Sequence, residues 1–389
     1  MMQALEGSQA IARAVSLCRP GVVAAYPITP QTHIVENIAK LVADGQLHCE
    51  FVSVESEHSA ASVVLGAAAA GVRAYTASAS QGILLMAEVL YNIAGLRVPL
   101  VLTCANRAVS APLSIWNDQQ DSMAVRDAGW IQLYCADNQE AVDTTIQAFR
   151  IAETLELPVM VCMDGFTLTH TLEPLDLPDQ DQVDAFLPPY HFSRALDSQR
   201  PISIGTLVDP EHYTEVRFSH HQAMLEALDV IPAVDRAWHE SVGRFYGGLM
   251  SIEGPKDAKV GILTLGSVFG TLADAQEENE VRPARLIKLR SFRPFPVEAL
   301  QQACRGLDDL IVLERAFSPG GGGIVGAEVR AALAELADPP RVHNFALGLG
   351  GRDVPMETYS RLLQAIDTAK PGRFSIFDVD LSLLPQEEQ

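Results

Sequence analysis

Gly21-Val-Val-Ala-Ala-Tyr-Pro-Ile-Thr-Pro-Gln-Thr32 and Cys49-Glu-Phe-Val-Ser-Val-Glu-Ser-Glu-His-Ser59 carry the pattern that decides the fold. In each, a short aliphatic, β-branched run (21–26 and 48–54) stops at polar residues and gives way to a helical pattern (31–44 and 57–70). Strands at 72–77, 98–104, 130–136 and 158–163, with helices at 82–95 and 138–155, continue this rhythm. It repeats about every 25–30 residues, the spacing of βα units. Near-continuous apolar strands separated by helices predict a mostly parallel sheet covered on both faces.

Further along, the segment 171–213 holds Pro174, Pro178, Pro188, Pro189, Pro201 and Pro210 among many aspartates, and predicts an extended connection over the surface. A helical stretch, 214–246, is expected to break near Pro232. Glu253-Gly-Pro255 marks a boundary, after which a second, smaller α/β unit is expected. Its strands fall at 259–265, 284–290, 309–314 and 341–346, with helices at 296–304, 324–337 and 355–366. The expected class is therefore α/β, with two doubly wound domains over 1–250 and 256–366. A tail, 367–389, is expected to pack on a partner or fray.

Composition excludes more than it identifies. A formal net charge of −21 and a pI near 4.8 argue against nucleic acid or an anionic membrane surface as the main partner. The six cysteines, at 18, 49, 104, 135, 162 and 304, form no Cys-x-x-Cys pair, and several lie in apolar runs. They read as reduced, buried thiols of a cytosolic protein, and they supply no ferredoxin-like cluster. The opening Met-Met-Gln-Ala-Leu-Glu lacks the form of a signal peptide. The Ala/Val-rich run 60–72, interrupted by Gly66 and Gly71 and closed by Arg73, is too short to span a bilayer. A soluble, cytoplasmic protein is expected.

Ligands of open parallel sheets bind beyond the carboxyl ends of the strands, and polar residues gather there. After the first strand, Pro27 and Pro30 fix a turn that places the hydroxyls of Thr29 and Thr32 and the amide of Gln31 at the sheet edge; a helix N-cap at Thr29 with Pro30 at the first helical position reads equally well, and both can hold. Glu57 follows the second strand where a strongly apolar helix starts. The helix dipole alone favours a carboxylate there, but the place also suits proton chemistry, with Glu55 as the competing candidate. Thr76, Ser78, Ser80, Gln81 and Gly82 follow the third strand. Asn106-Arg107 and Ser114-Ile-Trp-Asn-Asp-Gln-Gln-Asp121 follow the fourth. An arginine leaving a buried strand can bind a carboxylate in bidentate fashion or pair with a nearby acid. Four consecutive strand ends bearing polar groups point to a polar ligand.

Other features carry less. Gly321-Gly-Gly-Ile-Val-Gly326 formally satisfies Gly-x-Gly-x-x-Gly, but a four-glycine run permits the match by chance and no ribose-binding acid follows the next strand; a tight turn is the reading taken. Adjacent His220-His221 diverge and make a poor metal pair, and no metal site is expected on this chain. Met86, Met160 and Met163 lie in apolar runs and read as core.

The motifs together resemble the α subunit of pyruvate:ferredoxin oxidoreductase, of the 2-oxoacid:ferredoxin oxidoreductases. The resemblance rests on Tyr26-Pro-Ile-Thr-Pro-Gln-Thr32, Val54-Glu-Ser-Glu-His-Ser59, Asn106-Arg107, Ile115-Trp-Asn-Asp-Gln-Gln-Asp-Ser122, Gly129-Trp-Ile-Gln-Leu133 and Asp164-Gly-Phe166. Phe292-Arg-Pro-Phe-Pro296 and Gly348-Leu-Gly-Gly-Arg-Asp353 extend it over nearly the whole chain except the ends. It implies a thiamine-diphosphate pyrimidine-binding domain followed by a transketolase C-terminal-like domain. The implied reaction is reversible: 2-oxoacid, coenzyme A and oxidised ferredoxin give acyl-CoA, carbon dioxide and reduced ferredoxin. Pyruvate is the implied substrate, with oxalate or a branched-chain oxoacid as alternatives, or a non-catalytic assembly subunit in place of an enzyme.

By the same resemblance, Glu57 contacts the aminopyrimidine of thiamine diphosphate and stabilises its protonated ring nitrogen. Thr29 meets the substrate's carboxylate or keto group, Arg107 holds that carboxylate, and Tyr26 helps shape the cofactor pocket. The sequence lacks the Gly-Asp-Gly…Asn pattern for magnesium and diphosphate, and it lacks cluster cysteines. Magnesium and 4Fe-4S clusters are accordingly expected on partner subunits. These are a β-type subunit binding the diphosphate and γ- and δ-type subunits, the last ferredoxin-like. Ferredoxin and coenzyme A complete the expected set of partners.

Overall fold

Every residue of the strands Val101–Asn106 and Val159–Asp164 is buried, as two strands covered by helices on both faces must be. In the computed structural model, which describes residues 2–278, 282–368 and 371–388, these two pair in parallel at the heart of the first sheet. The first part of the chain contributes β1 (Met2–Glu6), β2 (Val22–Ala25), β3 (Glu50–Ser53), β4 (Ala74–Ser78), β5 (Val101–Asn106), β6 (Ile131–Tyr134), β7 (Val159–Asp164) and β8 (Leu172–Asp176). The second contributes β9 (Met250–Glu253), β10 (Val260–Thr264), β11 (Arg285–Leu289), β12 (Ser291–Arg293), β13 (Asp309–Glu314), β14 (Arg341–Ala346) and β15 (Phe374–Ile376).

The first sheet runs β12-β6-β7-β5-β4-β2-β3 and the second β15-β14-β13-β10-β11-β9. Only β12 and β9 pair antiparallel within them. In the first sheet β3 lies on one side of β2 and β4 on the other, so the chain reverses its direction of travel across the sheet at β2. That reversal is the topological switch point where open α/β sheets leave a crevice.

Local chemistry starts the helices. Ser56 Oγ accepts from Ser59 N (3.2 Å) ahead of Glu57–Ala69, and Asp137 Oδ1 accepts from Glu140 N (2.7 Å) ahead of Asn138–Leu155. One apolar cluster joins Ala24, Leu102 and Met160 of the first sheet to Leu263, Leu289 and Val312 of the second, so the two units share a core.

Several sequence expectations change. The helix Tyr213–Val242 runs through Pro232 without a break. Its buried residues Ala223, Ala227, Ile231, Val234 and Trp238 follow helical spacing on both sides of the proline, so tertiary packing outweighs the lost hydrogen bond. The helix expected at 82–95 begins at Ser80 and divides at Met86. The stretch 171–213 is only partly extended: β8 pairs with β1, and Asp179 caps the helix Gln180–Phe186. Ser291–Arg293, inside the second unit by sequence, completes the first sheet beside β6. Within the expected tail, β15 adds an edge strand against β14. Among the described residues, no helix is long and apolar enough to cross a membrane.

Candidate active site at the carboxyl edge of the first sheet

Thr29 follows β2, Glu57 follows β3, Gly82 follows β4, Arg107 follows β5 and Phe166 follows β7, so the neighbouring strand ends beside the switch point carry the polar groups. Glu57 is the first residue of its helix and only 6% exposed. Among the described residues no hydrogen bond reaches its carboxylate. It packs against Gly82, where a Cβ would lie 2.7 Å from Glu57 Oε1 and 2.3 Å from Ser78 Oγ. Ser78 Oγ, Thr76 Oγ1 and Gln81 Nε2 are likewise buried without partners. A carboxylate and neutral polar groups buried together without internal partners are costly unless a ligand completes them. Glu55, the competing candidate, is exposed ahead of the helix and accepts a hydrogen bond from Ser59 Oγ in its first turn, which holds its carboxyl below the usual range.

The Tyr26–Thr32 turn is fixed by Gln31, a fully buried amide. Its Nε2 donates to the Ala77 carbonyl at 2.7 Å and its Oε1 accepts from Ile28 N at 3.1 Å. Gln31, expected to present its amide at the sheet edge, instead pins the turn to β4. Tyr26 and Thr29 stay exposed.

Arg107 is buried at the end of β5, and burial lowers its pKa. Its Nη1 donates to the Thr29 carbonyl (2.9 Å) and its Nε to the Ser114 carbonyl (2.9 Å). Among the described residues Nη2 has no hydrogen bond and no carboxylate pairs with the guanidinium. The structural ion pair that the sequence left open is therefore not formed, and Thr29 and Arg107 are in contact. Among the described residues no hydrogen bond or ion pair joins Glu57 to either of them.

Asp121 organises this edge, a role sequence reading missed. Fully buried, it accepts from Ser80 N (2.8 Å), Asn106 Nδ2 (2.8 Å), Arg107 N (3.0 Å) and Ser122 N (2.8 Å). Burial pushes its carboxyl up while those donors pull it down. Ser80 (φ 50°) and Phe166 (φ 58°) both hold left-handed backbone just beyond strand ends. Their N–H groups are secured by Asp121 and by Thr169 Oγ1 (2.8 Å), which offsets that strain.

The second unit meets the same edge. Asp164, at the end of β7, accepts from Ser267 N (2.9 Å) and Ser267 Oγ (2.5 Å), and lies 3.6 Å from Arg315 Nη1. Asp118 is 7% exposed and accepts from Gly350 N at 3.2 Å. Burial raises its carboxyl to about 6.

The glycine-rich run 321–326 has an internal occupant. Glu314 accepts from Val325 N (2.8 Å), Gly326 N (3.2 Å) and Asn344 Nδ2 (2.6 Å), filling the helix N-terminus that a phosphate would need. A Cβ on Gly323 would meet Glu314 Oε1 at 2.0 Å, so glycine there admits the protein's own carboxylate. His220 is buried and hydrogen bonds to the Gly129 carbonyl at 3.1 Å. Glu6, His33 and His170 place ligand-type atoms within 4.8 Å of one another. The two imidazoles are tilted by 34° with centroids 4.5 Å apart, and their Nδ1 atoms are taken up by Glu6 Oε1 (2.7 Å, His33) and Thr169 Oγ1 (2.8 Å, His170). Five cysteines are buried, and burial pushes Cys304 up to about 12.

Comparison with known proteins follows this division. The family described as pyruvate flavodoxin/ferredoxin oxidoreductase, thiamine diphosphate-binding, matches residues 13–236, and the pyruvate:ferredoxin oxidoreductase core domain II matches 258–359. A protein named pyruvate synthase subunit PorA from Methanosarcina barkeri is 44% identical over 381 residues, covering 96% of this chain and 94% of the relative. A ketoisovalerate oxidoreductase subunit VorA from Pyrococcus abyssi is 41% identical over 352 residues, covering 90% and 89%. Among solved structures, a 2-oxoglutarate:ferredoxin oxidoreductase from Magnetococcus marinus superposes with TM-score 0.74 at 21% identity. That match covers 94% of this chain and 65% of the other, and carries the fold alone.

Proposed function

The chain belongs to the pyruvate flavodoxin/ferredoxin oxidoreductase family, and from that premise we propose that it is the pyrimidine-binding subunit of a pyruvate:ferredoxin oxidoreductase. The observation that carries this reading is Glu57, a buried carboxylate with no hydrogen-bond partner among the described residues, at the switch point of the sheet. The residues around it suit an aminopyrimidine: a carboxylate for a protonated ring nitrogen, with Thr76, Ser78 and Gln81 offering further buried polar atoms. Thiamine diphosphate, when bound, supplies the electron sink for decarboxylation.

This chain's residues bind and orient. Glu57 holds a proton shared with the pyrimidine ring nitrogen through a charge-assisted bond, in a setting of low dielectric that strengthens it. Tyr26 helps shape the cofactor pocket. Arg107 keeps its guanidinium fixed through Nε and Nη1 and presents Nη2 to the oxoacid carboxylate. Burial disfavours its charge until an anion arrives, which strengthens selection for a carboxylate. The Thr29 hydroxyl meets the same substrate.

Diphosphate and magnesium belong, in this reading, to a β-type partner, and 4Fe-4S clusters and coenzyme A contacts to γ- and δ-type partners. Ferredoxin is the electron acceptor and the setting is the cytoplasm. Retention of Thr29, Glu57 and Arg107 together speaks against a non-catalytic assembly subunit. The VorA relatives keep a branched-chain oxoacid as a second reading, with oxalate a third candidate substrate. The test is to purify the chain with its native partners and follow ferredoxin reduction. Reduction should need coenzyme A and an oxoacid, with pyruvate giving the highest kcat/KM. A preference for 2-oxoisovalerate or oxalate would reject pyruvate. Oxidation of any of them by this chain alone would reject the subunit assignment.

A further inference from the structure

We propose that the second unit's loop Gly348–Gly351 is a positioning element for Arg107, so that a unit contributing no group to the pyrimidine half-site sets the affinity for the substrate's carboxylate. The inference rests on the reading of Arg107 as the carboxylate-binding cation.

Of the two bonds that direct the guanidinium, Nη1 to the Thr29 carbonyl and Nε to the Ser114 carbonyl, the second comes from a loop with little packing of its own. Arg107 Nε is held by the Ser114 carbonyl (2.9 Å), and Ala108 N donates to the Trp116 carbonyl (3.0 Å), closing the neck of the loop 108–118. Between those points the loop is open to solvent: Leu113 is 76% exposed and Trp116 50%. Among the described residues its own unit adds Ser80 Oγ, which donates to the Ala108 carbonyl (2.5 Å), and the Phe166 ring against Trp116, with centroids 4.5 Å apart.

The remaining restraints come from the second unit. Gly350 N donates to Asp118 Oδ2 (3.2 Å), and Arg315 Nη2 bridges the carbonyls of Gly348 (2.9 Å) and Asn117 (3.4 Å). Gln119 N donates to the Arg315 carbonyl at 2.8 Å. Gly351 (φ 82°) approaches so closely that a Cβ would lie 2.4 Å from Trp116 Cβ. Trp116 and Asp118 are thus held by this loop and Asn117 by Arg315, which the same loop's Gly348 carbonyl fixes, and Ser114 is carried with them. Displacing a loop that orients a binding group lowers affinity without altering the group itself.

The test uses the co-purified complex carrying Gly351→Ala, with Asp118→Asn as an isosteric second variant for the case that the first does not assemble. We expect KM for pyruvate to rise by about tenfold in the first and about threefold in the second. Thiamine diphosphate affinity, read by fluorescence quenching, and KM for coenzyme A should stay within about twofold. An unchanged KM for pyruvate in an assembled variant overturns the proposal. So does a parallel loss of cofactor affinity, which would mark general loosening. Arg107→Lys, measured alongside, separates the two claims. If it leaves KM unchanged, the substrate reading of Arg107 fails; if it raises KM while Gly351→Ala and Asp118→Asn do not, only the positioning claim fails.

Discussion

Glu57 Oε1 occupies the space a side chain at Gly82 would need, 2.7 Å from the place of its Cβ. The carboxylate is therefore set by the absence of a methyl group on the next helix as much as by its own. Gly82→Ala should displace Glu57 and Ser78 together, an overpacking cost of about 1–3 kcal/mol. Because that cost falls on the cofactor side, affinity for thiamine diphosphate should drop by about tenfold or more while KM for the oxoacid changes less. Cofactor titration of the assembled variant checks this.

Thr29 and Arg107 should separate under mutation. Arg107 uses the Thr29 carbonyl, which Thr29→Ala retains. That variant should lose only the hydroxyl's contact, with kcat/KM falling by a few-fold to about tenfold. Arg107→Lys loses the planar fork with its fixed Nε and Nη1 bonds, and kcat/KM should fall by about 100-fold. Equal effects in steady-state kinetics would contradict the geometry.

Asp118 makes the contact between units pH-sensitive. Its carboxyl is raised by burial from an ordinary 3.8 to about 6, so between those values the folded chain binds the proton more tightly than the unfolded one. Stability linked to this group is complete below the lower value and is lost as pH rises from there through about 6, by on the order of 3 kcal/mol. Asp118→Asn removes the titration. The melting temperature of the variant, relative to the native complex, should climb as pH rises from 5 to 7. A flat difference would show that the carboxyl is not raised.

Gly326 tests the glycine-rich turn. A Cβ there would fall 2.2 Å from Asn344 Oδ1, against the side chain that helps hold Glu314. Gly326→Ala should cost about 1–3 kcal/mol of stability. It should leave KM for the oxoacid unchanged, and neither form should bind a nicotinamide dinucleotide in calorimetry.

How far the sequence reveals this arrangement depends on the range of each interaction. The parallel sheet was legible because strands such as β5 and β7, buried on both faces, are apolar along most of their length and turn polar at their carboxyl ends. Glu57 could be chosen over Glu55 only as a place in a pattern, since exposure separates them and exposure is tertiary. Asp121 was legible as a polar residue but not as the acceptor joining Ser80, Asn106 and Arg107, because its partners are set by strand order. The clamp of Asp164 and Asp118 by Ser267, Arg315 and Gly350 links residues more than 100 positions apart and leaves no local signal. Helix continuity at Pro232 was hidden for the same reason: the stripe that overrides the proline is visible only against the helix Asn138–Leu155 on which it packs.

The most direct test of the central claim is the rate of ferredoxin reduction by the assembled complex carrying Glu57→Gln, beside Glu55→Gln. On the proposed role, in which the Glu57 carboxylate holds the pyrimidine proton, its removal should lower kcat by about 100-fold or more. The exposed Glu55 should be replaceable with little effect. A Glu57→Gln complex that reduces ferredoxin at the native rate would contradict the account.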